Sequence, residues 1–188
     1  MSYNTVISGF EPISMQEVKD HLRISWEEED AFIYSILSAA REYAEKTTSQ
    51  AIIEQTVTAF YSRLPYTAGA IELPLSNAVS ITSITYVDRD DVVQTLSASD
   101  YYLVQGQPNK VYIKEGYPEA KDRPDSVVII YQAGFGAIPF KPFPQAIKAA
   151  ILIMVGDMYE NREAQSAQRF EQNMTVERLL NQNKEMAL

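Results

Sequence analysis

PFPQAIKAAILIMVGDMYENRE, residues 142–163, decides how the chain is put together. Ile147, Ile151, Met154, Val155, Met158 and Tyr159 recur at three- and four-residue spacing, which lines up one apolar stripe on a helix. Pro139, Pro142 and Pro144 break the preceding segment, and Pro144 suits a helix start, where no amide hydrogen is needed. A helix with such a stripe must bury it against another element. A comparable stripe lies at the other end of the sequence.

There, Ser14-Met15-Gln16-Glu17 is a capping box that opens a short helix to about Leu22. Ser25-Trp26-Glu27-Glu28 repeats the pattern and is expected to open a second helix, ending near Thr47 to Ser49. On that helix Phe32, Ile33, Ile36, Leu37, Ala40, Tyr43 and Ala44 share one face. Between these ends the period changes to that of strands. Ile53, Val57, Ala59 and Tyr61 fall on one parity; Ile71 to Leu75 is a short run; Val79 to Val87 is rich in β-branched residues. The turn Asp88-Arg89-Asp90-Asp91 returns the chain along Val92 to Leu96. Tyr101 to Val104 and Val111 to Ile113 make a second hairpin around Gly106 to Asn109, and Val127 to Tyr131 reads as a central strand.

The expected fold is α+β: a small helical bundle from residues 14–49 and 144–163, with an antiparallel β insertion over 52–135 of six or seven strands, sandwich-like or barrel-like. Residues 164–188 read as a polar tail ending in a short helix, about Val176 to Met186, whose strong anchors are Leu179 and Leu180. Such a helix is too short to be stable alone and needs something to dock on.

The 188-residue chain carries no Cys, one His and a net charge of −9. Cysteine-based zinc or iron–sulfur sites and disulfides are excluded, and a His-dependent nucleophile would rest on His21 alone. The acidic balance argues against a partner gripped through its phosphates. No export signal or membrane-length apolar run is visible, so a soluble protein without a membrane role is expected.

The chemical readings are weak. Glu27-Glu28-Glu29-Asp30 reads as acids complementing the positive end of a helix dipole. Asp88, Asp90 and Asp91 lack the remaining spacing of a calcium loop, and Gly134-Phe135-Gly136-Ala137 lacks that of a phosphate loop. Tyr101 and Tyr102 suggest either half-buried strand aromatics or a carbohydrate-binding face; Asp88 with Asp100 would be the pair for a carboxylate-based hydrolase if they converged. In the opening stretch Tyr159 and Glu163 lie four apart, as do Met158 and Arg162, while Glu160 points elsewhere, so these charges do not converge as catalytic carboxylates would. Arg162 is placed instead for a buried or interfacial ion pair. No catalytic, cofactor or metal residue is assigned.

Several stretches resemble one family. Ile13-Ser14-Met15-Gln16-Glu17-Val18-Lys19-Asp20-His21-Leu22-Arg23-Ile24 followed by Glu28-Glu29-Asp30-Ala31-Phe32-Ile33 resembles the opening of the head-tail connector proteins of tailed phages and prophages. Ala39 to Ile52, Ile81 to Asp88, Tyr131 to Gly136, Pro144 to Leu152 and Tyr159 to Glu163 are similar to later segments of that family, and Val176 to Leu180 to its closing helix. The sequence departs at Ser49, where the family often has Gly or Arg, in the Pro-rich Ile138 to Phe143 segment, and in a longer Gln-rich stretch before the last helix. The resemblance implies a structural, non-enzymatic protein of the virion neck, assembled in the host cytoplasm. It implies a ring of copies, typically twelvefold, beneath the portal protein, extending a channel through which DNA passes without specific binding. A tail-side neck or stopper protein would be the next partner, and a neck or tail-completion protein further down is the alternative within the same biology. On this reading Tyr159, Arg162, Glu163, Glu28 and Asp30 are candidates for the subunit interface, and Val176, Leu179 and Leu180 for portal docking.

Overall fold

The structure is a computed structural model that describes residues 2–64, 69–106, 108–114, 120–135, 142–162 and 174–184. Its elements in chain order are β1 (Ser2–Ile7), α1 (Met15–Leu22), α2 (Asp30–Thr48), β2 (Gln55–Tyr61), β3 (Gly69–Glu72), β4 (Ala78–Val87), β5 (Val93–Thr95), β6 (Tyr101–Val104), β7 (Lys110–Ile113), β8 (Val127–Ala133), α3 (Gln145–Glu160) and α4 (Met174–Asn181). They form two compact units, one from Met1–Phe10 and Ile53–Lys141, the other from Glu11–Ile52 and Pro142–Lys184. The fold is α+β.

The helical unit begins at Ser14, whose hydroxyl accepts from the Glu17 amide while the Glu17 carboxylate returns to the Ser14 amide. The capping box is therefore real, and it satisfies two amides that the first turn of α1 leaves free. On α2 the buried positions are Ile33, Ile36, Leu37, Ala40, Arg41, Ala44 and Thr48, and on α3 they are Ile147, Ala150, Ile151, Met154 and Val155. Both sets follow the three-four spacing, and the two helices pack on each other, with α4 packing on both. Ser49 ends α2 in the left-handed region at φ 55°, a conformation easier for glycine than for serine.

Three expectations for these helices fail. Ser25 does not cap α2: the helix starts at Asp30, and its N-cap Glu29 makes no side-chain capping bond. Of the four acids at 27–30, only Asp30 lies in the first turn. The closing helix runs from Met174 to Asn181 rather than from about Val176 to Met186.

In the β unit one five-stranded sheet has the order β1-β2-β8-β4-β5 and one three-stranded sheet the order β3-β7-β6. Every described pairing is antiparallel. The sheets do not close into a barrel. β8 is the central strand, as its apolar run suggested, with Val127, Ile129, Tyr131 and Ala133 buried on one face. Its Tyr131 hydroxyl donates to the Leu75 carbonyl at 3.1 Å and accepts from the Leu75 amide at 3.2 Å, so this buried phenol is satisfied. Among the described residues there are eight strands rather than six or seven. The one with no counterpart in the sequence reading is β1, which pairs with β2 from Ser2 opposite Phe60 to Ile7 opposite Gln55.

At the end of β8 the chain passes very close to the segment before β2. Gly134 has φ +133°, and a Cβ there would lie 2.5 Å from the Ile53 carbonyl oxygen. Gly134 is thus a packing requirement and not part of a phosphate loop; Gly136 and Ala137 lie outside the described residues. Gly134→Ala is expected to destabilise the protein by about 1–3 kcal/mol through forced backbone strain, read as a lower urea midpoint with an unchanged slope.

Candidate functional site

Charged side chains in the helical unit gather at three places. The first is around Glu29, just before α2. Its carboxylate accepts from the Trp26 indole at 3.3 Å, from the Tyr159 hydroxyl and from the Arg162 guanidinium. Arg162 also stands over two rings, 4.7 Å from the Phe32 centroid and 5.0 Å from that of Tyr159, where the ring faces attract a cation. The phenol and the guanidinium, followed by the indole, hold the Glu29 carboxyl well below its ordinary value of 4.5, at about 2. The same contact pushes the Tyr159 hydroxyl and Arg162 up.

The second place is interior. Arg41 is 2% exposed, and its Nε lies 3.0 and 3.1 Å from the two Glu11 oxygens, with Nη1 2.8 Å from Glu45. Ser38 Oγ donates to Glu11 at 2.9 Å and the Ile52 amide to Glu45 at 2.7 Å. The third is at α1. Lys19, almost buried, faces Asp30 at 2.5 Å, and Lys148 of α3 bonds to Glu17. Lys148 foremost, then the Ser14 amide, lowers the Glu17 pKa.

Of the residues singled out in the sequence, Tyr159 and Arg162 come together. Arg162 does so beyond the helix, because α3 stops at Glu160 and Asn161 is its cap. The i,i+4 registers drawn through Arg162 therefore do not apply, and Glu163 lies outside the described residues. Asp30 pairs with Lys19, and Glu28 is exposed. Val176 and Leu180 are 1% and 0% exposed within their own helical unit, while Leu179 is half-buried. Glu29 and Arg41 were both missed. Glu29 was masked by its acidic neighbours, and its partners are 130 and 133 residues away. Arg41 left a signal, a lone arginine on the apolar stripe of α2.

The chemical alternatives find little support. Asp88 accepts from the Gln94 side chain and from the backbone amides of Val92 and Asp90, which lower its pKa. The acid of a hydrolytic pair needs the opposite shift. Tyr102 is exposed and stacks on Tyr112 with centroids 5.2 Å apart, while Tyr101 is half-buried. Among the described residues no group of three or more His, Cys, Asp or Glu is placed to hold a metal ion, and no helix is long and apolar enough to cross a membrane.

The fold and these networks together define an α+β protein in which charge clusters tie helix to helix. Residues 12–102 match the family model described as phage gp6-like head-tail connector protein. Among solved structures, the fold is similar to a chain in the virion of a native gene transfer agent particle, with a TM-score of 0.79 and 23% identity over 100% of this chain and 97% of that one. It is similar also to chains in the neck of the empty particle computed with C6 symmetry, at 0.78 and 22%, and in the neck of the native particle computed with C12 symmetry, at 0.76 and 21%, with the same coverage in both. A comparison with curated proteins gives no match.

Two outcomes are expected. The folded chain binds the Glu29 proton less tightly than the unfolded chain, so the network's stabilisation is present above about pH 4.5 and is lost as pH falls toward 2. Thermal melting across that range should therefore fall more steeply for the wild type than for Glu29→Gln. Arg41→Ala leaves two carboxylates in the interior without their cation and should cost about 3–5 kcal/mol in denaturant unfolding.

Proposed function

We propose that the protein works as a structural, non-enzymatic head-tail connector: copies form a ring, twelve in number, between a portal protein and a tail-side neck or stopper protein. The observation that carries the reading is the family match over residues 12–102, and the fold's likeness to neck chains agrees with it. The C12 symmetry of the native particle's neck is the basis for the number. On this reading the protein resides in the neck of the virion after assembly in the host cytoplasm.

The subunit interface is proposed around Tyr159, Arg162, Glu28 and Asp30. Glu29 already holds Arg162 within its own chain, yet the Arg162 side chain keeps 50% of its surface exposed, leaving guanidinium donors that a neighbouring copy can use. For the portal we propose α4. Val176 and Leu180 seat this helix on its own unit, so Leu179 and the exposed Glu177 and Arg178 are the side chains it can offer. DNA would pass without specific binding. Each subunit brings −9, and a ring of them repels phosphate and releases few counterions on contact.

Light scattering and negative-stain microscopy of the full chain, with and without portal protein, test the reading. Rings, either spontaneous or formed on the portal, are the expected result. A chain that stays monomeric at all concentrations and ignores the portal would sink it.

A further inference from the structure

β1 has an unusual environment for a strand. All six of its residues are exposed, although three of them lie on the face that is buried along β2 and β8. Opposite residues of an antiparallel pair share a face, and Tyr3, Thr5 and Ile7 stand opposite Ala59, Val57 and Gln55. Those three are at most 2% exposed, whereas Tyr3 is 42% and Ile7 48% exposed. The apolar layer of the sheet is covered as far as β2 and uncovered on β1. Phe10, just beyond, is 96% exposed.

We propose that this uncovered face, Tyr3 and Ile7 with Phe10, docks on a second copy of the same chain. The proposal rests on the ring reading above and names a surface it left unassigned. Four observations favour another copy. First, the arm is held in place before any partner arrives. Ser8 and Gly9 both donate their amides to the Glu54 carbonyl at 2.9 Å, and a Cβ on Gly9 would meet Glu54 Cβ at 2.7 Å, so only glycine fits there. A pre-positioned strand loses little freedom on docking.

Second, β1 is an edge strand and carries none of the usual protections of an edge, with no Lys, Pro or inward charge in SYNTVI. Third, residues 2–10 contain no charged side chain in a protein of net charge −9. Two copies repel each other over much of their surface, and this stretch is where they meet without like-charge repulsion. Fourth, a closed ring with rotational symmetry uses two different faces per subunit. An arm that is donated once and received once satisfies that requirement, and its face need not complement itself.

The test uses the full-length chain. Ile7→Lys places a charge on the docking face at an exposed position, where the monomer tolerates it, and Asn4→Lys places the same charge on the opposite face. Monomer melting temperature checks both variants. The expected result is that Ile7→Lys raises the concentration for half-assembly by about tenfold or more, while Asn4→Lys assembles like the wild type. Replacing Tyr3 with photoreactive benzoylphenylalanine should cross-link one copy to another in assembled rings. Rings that form equally well with Ile7→Lys, or Tyr3 cross-links that fall on portal or tail proteins, overturn the proposal and leave the ring reading standing. A wild-type chain that never assembles overturns both.

Discussion

Arg41 lies on the apolar face of α2 at a position where a leucine would satisfy the helix pattern, yet its guanidinium is enclosed at 2% exposure between Glu11 and Glu45. Glu11 opens the helical unit, and Glu45 also accepts the amide of Ile52, where the chain leaves that unit. One cation thus fixes the entry and the exit of the N-terminal half of the unit. Apolar stripes attract without direction, whereas these charge-assisted bonds demand particular distances and angles. The cost of burying Arg41 is offset because both carboxylates that enclose it have further partners: Ser38 bonds to Glu11, and the Ile52 amide to Glu45. A single carboxylate removed from this set would leave the arginine incompletely paired in the interior.

The same economy of cations runs through the rest of the unit. Lys19 faces Asp30, Lys148 faces Glu17 and Arg162 faces Glu29, each joining two segments of the unit. α3 has no basic residue in its last turn to meet the negative end of its dipole. Arg162 comes two residues past its last turn, beyond the Asn161 cap, and turns to Glu29 instead. The aromatic pair of Phe32 and Tyr159 beneath the guanidinium, with ring centroids 6.3 Å apart, adds a cation–π attraction to an ion pair that, half exposed on its Arg162 side, would contribute little alone.

What the sequence disclosed follows from the range of the interactions involved. The Ser14 capping box, the stripes of α2 and α3, the β4–β5 hairpin and the central place of β8 all depend on residues within a few positions of one another, and each was legible. Ser25 offered the same local signal as Ser14 and failed. The acid at the helix start, Glu29, is drawn instead to Tyr159 and Arg162, and the helix begins one residue after it. β1 was invisible because SYNTVI has little alternation and no buried face; only its pairing with β2, more than 45 residues on, makes it a strand. The two residues that organise the charge, Glu29 and Arg41, were legible as residue types but not as hubs, since Tyr159 and Arg162 in the first case and Glu11 in the second lie outside the local window.

This division bears on how an acidic chain can assemble with itself. Within the helical unit, Lys19, Arg41 and Lys148 are already turned toward the chain's own carboxylates. The excess of 25 acidic over 16 basic residues is then left mostly to surfaces. Two surfaces that both carry this excess gain little from charge attraction, whereas uncharged surface meets no like-charge repulsion. In the described structure β1, β5 and β6 are strands whose exposed residues carry no charge. Internal neutralisation in the helices and neutrality along β1, β5 and β6 are therefore two sides of one arrangement: the first directs positive charge into the fold, and the second leaves those strands free of like-charge repulsion.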